Sequence, residues 1–306
     1  MSKEQAKEKE FNMGEKAVQI VDDILSSFGK SLKRLVSLFN SGDEAIKYIH
    51  SEITEAFAEA GLKLTKSTPE AASQCSYTGE RRDLVKLLGC FDWADALVAI
   101  YEITHYSGQK LPEIKPGDYI TMPVRVDAAK IDGLVFKGLD IAKTEAVVID
   151  VNKDGIVFQF DDVLFLNAVN RKDTNEGGFA NSTLGKYLNK NFISVFPEKV
   201  QGILQYNSRD NLRITLPTLF EVFGDRDDKT MNWSKNPYQF DYFKKRKNRI
   251  KTHENDTQWW WLSSPNAAHA ASFCYVHYYG HAYNGGGASE VSGGVAPAFC
   301  VPLGHE

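Results

Sequence analysis

Between Asp256 and His305 this sequence has one formally charged side chain, Glu290, although 25% of the chain is Asp, Glu, Lys or Arg. Other scarcities bound the molecule further. The four cysteines, at positions 75, 90, 274 and 300, form no C-x-x-C pair. A chain of 306 residues needs no disulfide staples, so buried free thiols are expected. No window of about 18 apolar residues occurs, which excludes a membrane-spanning helix. The first residues, MSKEQAKEKEFNMGEK, lack the apolar core of a signal peptide, so synthesis in the cytoplasm is expected. A net charge of −4 offers no footprint for nucleic acid. The basic run Lys244 to Lys251 has an acidic counterpart from Asp225 to Asp228 and is expected to be a solvated loop face.

What is present changes character along the chain. Proline is missing from Met1 to Thr68, and Val18, Val21, Leu25, Phe28, Leu32, Leu35 and Phe39 recur at helical steps. Gly42 breaks that stripe, Asp43 can cap a second helix with Ile46, Ile49, Ile53 and Phe57 on one face, and RRDLVKLLGCFDWADALVAIYEI resumes the pattern. A helical module over residues 1–110, serving attachment or oligomerisation, is the expectation. SGQKLPEIKPGDYI then introduces two prolines and two glycines, and the period shortens. DYITMPVRV, AVVIDVN and GIVFQFDDVLFL are β-branched and aromatic runs that predict strands, with a hairpin turn at Asp154-Gly155. STLGKYLNKNFISVF predicts a helix capped by Ser182, and LRITLPTLFEVFG a strand entering a short helix. The fold class expected is α+β, with irregular, loop-rich β structure at its end. AYNGGGASEVSGG is expected to be a long glycine-rich loop.

Catalytic patterns are scarce too. No G-x-S-x-G, glycine-rich phosphate loop or H-E-x-x-H occurs. Cys274 and Cys300 are far apart, each inside an apolar strand where a thiol is inert. Asp161, Asp162, Asp225, Asp227 and Asp228 have turn-like neighbours that suit solvated carboxylates. His277 and His281 have H-x-x-x-H spacing, and His269 or Glu290 would have to supply a third zinc ligand. Gly280 between them argues for a turn instead. No lectin-type E-P-N or Q-P-D triplet suggests calcium. No cofactor and no metal is expected.

The tail is rich in the residues of a contact surface. Tyrosine gives rigid, amphipathic area at low entropy cost, and Ser, Gly and Asn add adaptable hydrogen bonds. Depletion of Lys and Asp matches the centre of an interface. The candidate ligand-binding residues are Asn266, Ala268, His269, His277, Tyr278, Tyr279, His281, Tyr283, Asn284 and Ser289, with Tyr278 to His281 at a hairpin tip around Gly280. Phe273, Cys274, Val276, Val295, Phe299, Cys300 and Val301, and at least two of Trp259, Trp260 and Trp261, are expected inside, because neighbours on a strand face opposite ways.

From Lys115 to Leu303 the order of motifs resembles an uncharacterised domain family of gut bacteria and their phages. The carrying residues are KPGDYI, GGFANSTLGKYLNKNF, NLRITLPTLFEVFG, WWWLSSP, FCYVHYYG and GGVAPAFCV. Ser263 and Ala296 depart from it, since arginines stand there in the family pattern. The resemblance implies a C-type-lectin-like fold, akin to formylglycine-generating-enzyme-like domains, over residues 111–306. That fold is shared by the variable proteins of diversity-generating retroelements, whose C-terminal segment is mutagenised at adenines. By this resemblance the chain is a non-enzymatic receptor-recognition protein. Its partner would be a protein or glycan on a target cell, and its helices would join a virion or cell-surface assembly. It would then be virion-associated or cytoplasmic, with no nucleic acid partner; a homo-oligomer and a monomer are both compatible with the sequence. The competing expectations are a metal-binding or Cys/His enzyme of the same fold, and a structural component of a phage particle.

Overall fold

A computed structural model describes residues 81–107, 109–224 and 238–304, which fall within the compact unit Gly79–Glu306. The two helices expected over Val18–Phe39 and Asp43–Gly61, and the acidic run at 225–228, lie outside the described residues.

Two short helices come first, α1 (Leu84–Leu88) and α2 (Trp93–Glu102). Asp92 caps α2 by accepting the Asp95 N–H at 2.8 Å, satisfying one of the orphan donors at a helix start. Ala96, Leu97 and Ile100 turn inward at 0% exposure. The change of composition at Ser107–Ile120 lies inside this unit, and α2 shares one core with the sheet that follows.

The strands follow: β1 (Tyr119–Val126), β2 (Ala129–Ile131), β3 (Leu134–Phe136), β4 (Leu139–Asn152), β5 (Gly155–Phe160) and β6 (Phe165–Leu166). Asn152 Oδ1 accepts the N–H groups of Asp154 and Gly155, which closes the expected β4–β5 hairpin. Then come α3 (Gly178–Asn181), α4 (Thr183–Lys190), α5 (Glu198–Gln201), β7 (Ile214–Thr215) and α6 (Leu219–Phe223). Ser182 caps α4 through a 2.9 Å bond from Gly185 N–H, where the sequence places it. Thr218 and Glu221 form a reciprocal capping box on α6. The chain closes with β8 (Lys251–His253), β9 (Asp256–Gln258), β10 (Trp260–Pro265), β11 (Ser272–Val276), β12 (Ala282–Gly287), β13 (Gly294–Val295) and β14 (Ala298–Pro302).

One five-stranded sheet has the order β1-β4-β5-β14-β7 and is antiparallel throughout. The other has the order β12-β11-β10-β13-β6, and its single β10–β13 pair is parallel. Two small hairpins, β2–β3 and β8–β9, complete an α+β unit that is mostly sheet, with few short helices and irregular connections. No helix among the described residues is long and apolar enough to cross a membrane.

The strand β10 separates two cores. Trp259 and Trp261 join Phe158, Phe160, Phe273 and Phe299 on one side. Trp260 and Leu262 join Val147, Ile149, Phe243, Cys274 and Val276 on the other. The alternation of a strand thus distributes three consecutive indoles as expected. Each indole buried contributes roughly 5 kcal/mol before entropy is counted. Both central indoles keep a polar partner: Trp260 Nε1 donates to Arg249 O and Trp261 Nε1 to Asn167 O, each at 2.9 Å.

Two expectations are corrected. The run AYNGGGASEVSGG is not all loop, because its first half is strand β12, hydrogen-bonded to β11. Glycine there allows a close approach: a Cβ on Gly286 would sit 2.5 Å from Trp261 Cζ3. The basic run is not wholly solvated either. Lys251 is 1% exposed, and its Nζ donates to the carbonyls of Phe160 and Asp161 at 2.8 Å, lying 5.2 Å over the Trp260 ring. The β8–β9 hairpin carries it inward, where the carbonyls replace water.

Candidate functional site

A cluster of aromatic rings stands on the β11–β12 hairpin. Tyr275 and Tyr283 are direct partners across the two strands, and their rings stack at 5.3 Å. His277 lies 4.8 Å from Tyr278, 5.4 Å from Tyr279 and 5.7 Å from Tyr283, centre to centre. Tyr278, Tyr279 and Tyr283 are 38%, 56% and 54% exposed, while Tyr275 and His277 are half-buried beneath them. The ridge is rooted in the core: Tyr275 packs 4.8 Å from Trp259, which meets Trp261 edge-on at 4.7 Å.

The turn that carries the ridge is built by its backbone. His277 N–H donates to His281 O and Gly280 N–H to His277 O, each at 2.8 Å. Gly280 has φ of +77° and a Cβ there would stand 3.0 Å from Arg246 O, so both conformation and space require glycine. The tip therefore rests on the segment before β8 instead of swinging free.

Burial, and secondarily the neighbouring His281, hold the His277 imidazole below its ordinary value, which keeps the ring uncharged at neutral pH. Burial also pushes the Tyr275 phenol up to about 12. From Ala268 to Asn284 the sequence contains no Asp, Glu, Lys or Arg. The ridge is thus aromatic, hydrogen-bonding and neutral.

Of the ten sequence candidates, His277, Tyr278, Tyr279 and Tyr283 meet in one ring cluster, and His281 closes the turn beneath it. Ala268 and His269 are exposed on the loop before β11. Asn266 is 2% exposed and its Oδ1 accepts the Ala268 N–H, so it shapes that loop from within. Ser289 is bound to Asp173, with Oγ donating at 2.7 Å, and anchors the chain after β12. Asn284 lies on β12, and its side chain is outside the described atoms. Two contributors escaped the candidate set. Tyr275 belongs to the ridge, and the symmetric register about Tyr279 was the signal that could have found it. Asn175, far upstream, gathers the carbonyls of Asn266, His269 and Ser272 with one amide nitrogen, a pairing that local sequence does not reveal.

Other chemistries find little to assemble them. Among the described residues no group of three or more His, Cys, Asp or Glu could hold a metal ion, so His277 and His281 have no third ligand there. Cys274 is in the second sheet and Cys300 in the first. Burial pushes the Cys300 thiol up to about 12, and it donates to Gln205 Oε1 at 3.3 Å.

Residues 153–303 match a family described as a domain of unknown function, DUF6273. No curated protein and no solved structure matches the chain.

Proposed function

We propose that the chain is a binding protein whose contact surface is the Tyr275–Tyr283 ridge, and that its partner is a protein or glycan displayed on another cell. The single observation that supports this most strongly is the ring cluster itself. Three exposed tyrosines share one neutral patch, held by cross-strand stacking on a buried tryptophan pair. Rigid aromatic anchors of this kind carry most of the free energy at protein interfaces, because few rotamers are lost on binding. The absence of charge from Ala268 to Asn284 keeps the cost of desolvation low.

The wider setting follows the resemblance in the motifs. In this proposal residues 111–306 adopt a C-type-lectin-like fold of the formylglycine-generating-enzyme-like kind, and the ridge is the diversified face of a retroelement variable protein from a phage or bacterium. The N-terminal residues attach it to a virion or a cell-surface assembly. The separation of roles supports this reading: the indoles and Phe273 lie in the cores, whereas Tyr278, Tyr279 and Tyr283 could be replaced with no cavity left behind.

The direct test is binding of the labelled full chain to intact cells of the source community, compared with Tyr279→Ala, His281→Ala and Tyr283→Ala. Loss of binding by more than tenfold when the three are combined, with a melting temperature lowered by no more than loss of the Tyr275–Tyr283 stack accounts for, supports the ridge. If the triple variant retained every interaction of the parent, the ridge would be the wrong surface. Sequencing the 3′ end of the gene across that community tests the diversification: adenine-directed scatter at codons 266–284 supports it, and an invariant end opposes it.

A further inference from the structure

Away from the ridge, beside the β7 edge of the first sheet, lies a cleft of about 670 Å³. This is within the size of small-molecule sites, about 300–1,000 Å³. No ridge residue lines it. Its charged side chains are Asp154, Asp210 and Glu221 against Arg209 and Arg213, three carboxylates against two guanidiniums. Arg209 already pairs with both Asp210 and Glu221, at 2.6 and 3.4 Å. An anion therefore meets no excess of positive charge, and the net excess of the opposite sign is a single carboxylate.

The remaining groups are mixed in kind. Tyr206 and Tyr238 stand on the lining at 53% and 49% exposure. The Arg213 guanidinium lies 5.2 Å over the Tyr206 ring and steadies its plane. An aromatic face is electron-rich and attracts the weakly positive C–H groups of a ligand. Arg213 spends Nη1 on Gln201 O, at 2.9 Å, and keeps further N–H groups to donate. In the wall, Ser263 is 3% exposed and its Oγ has no hydrogen-bond partner. That oxygen is sealed within the wall, so it shapes the cleft and offers no contact to a ligand inside it.

We propose that this cleft is a second binding site, taking a neutral, hydroxyl-rich ligand of the oligosaccharide class. A sugar hydroxyl both donates and accepts, so one ligand can pair with the Arg213 N–H groups and the Asp154 carboxylate together. Its C–H face lies on Tyr206. A phosphorylated or sulfated ligand would meet one more carboxylate than guanidinium, and a purely apolar one would strip water from Arg213 and Asp154 without replacing it.

The test is an array of neutral oligosaccharides probed with the full chain, alongside sulfated and sialylated sugars and uncharged peptides. Neutral sugars are the expected ligands. Asp154→Ala should lower their affinity about fivefold, the worth of one hydrogen bond. Its melting temperature should hold, because Asp154 is an exposed turn residue. Tyr206→Ala should lower affinity about tenfold or more, whereas Tyr279→Ala and Tyr283→Ala should leave it unchanged. The proposal is overturned if no neutral sugar binds, if only anionic sugars or peptides bind, or if Asp154→Ala and Tyr206→Ala bind sugar like the parent. Ridge variants and cleft variants report separately, so either site can fail alone.

Discussion

Tyr275 and Tyr283 face each other across β11 and β12 with their rings stacked at 5.3 Å, one half-buried and one 54% exposed. The inner ring fixes the outer one before any partner arrives. Such a pair is worth about 0.5–1.5 kcal/mol beyond the area it buries. Tyr283→Ala should therefore cost the fold about 1 kcal/mol, and cost partner binding about 2 kcal/mol or more, as expected for an aromatic anchor. Denaturant melts and binding titrations on the same variant check both. A loss of stability larger than the loss of binding would make Tyr283 a structural residue instead.

Gly286 tests the claim that β12 is a strand pressed against an indole. Trp261 is fully buried and tied to Asn167 O, so it has little freedom to withdraw from a Cβ placed 2.5 Å from its ring. Gly286→Ala should destabilise by about 1–3 kcal/mol through overpacking, read as a shifted urea midpoint. Gly285→Ala is the control, since a Cβ there meets nothing within 4 Å. Equal melting of the two variants would remove the close approach.

Lys251 gives the molecule a signature in alkali. Burial lowers its ammonium to about 8 in the folded chain, against 10.5 for the unperturbed group. The unfolded chain then holds the extra proton between those values, so this residue makes stability rise from pH 8 to 10.5 and withdraws that gain as pH falls. Tyr187, Tyr238 and Tyr275, each pushed up to about 12 by burial, act in the opposite sense above pH 10. The difference between parent and Lys251→Met isolates the lysine. Chemical denaturation from pH 7.5 to 10 should show the rising slope in the parent and not in the variant.

His277 gives a second signature, in acid. Its imidazole lies below the usual 6.5, so the folded chain gives up its proton more readily than the unfolded one. The related stability is complete above pH 6.5 and drains away as pH falls through the folded value. Melting curves of the parent should drop more steeply than those of His277→Gln between pH 7 and 5. Parallel curves would mean that the ring is solvated.

The periodic segments announced themselves. Asp92, Ser182 and Thr218 sit at helix starts where short polar caps belong, and the alternation through Trp259, Trp260 and Trp261 foretold at least two buried indoles, though not that both faces of the strand are covered. What stayed hidden depends on residues distant in the chain. Glycine is statistically a loop residue, and only the indole above Gly286 turns its run into a strand. Lys251 carries a surface composition, and only two carbonyls some ninety positions upstream draw it inside. The tyrosines of the ridge were visible as a composition, but the pairing that orders them is a matter of register. The cleft was the least visible part, because Tyr206, Arg213 and Ser263 share no spacing and line one cleft only where the Ser263 N–H, donating to Pro217 O, ties β10 to the chain just past β7.

The placement of β10 between two cores also sets where the chain can change length. A single residue inserted between Trp259 and Trp260 would send the indoles of Trp260 and Trp261 to the opposite compartments, exchanging partners that differ in size and in hydrogen bonding. No local repair could restore both fillings at once. Ala267–Ala271 and Glu290–Ser292, by contrast, join strands through mostly exposed positions and can absorb added residues. Descendants of this chain can thus vary the outline around the ridge by insertion, while β10 must keep its count and can evolve only by substitution.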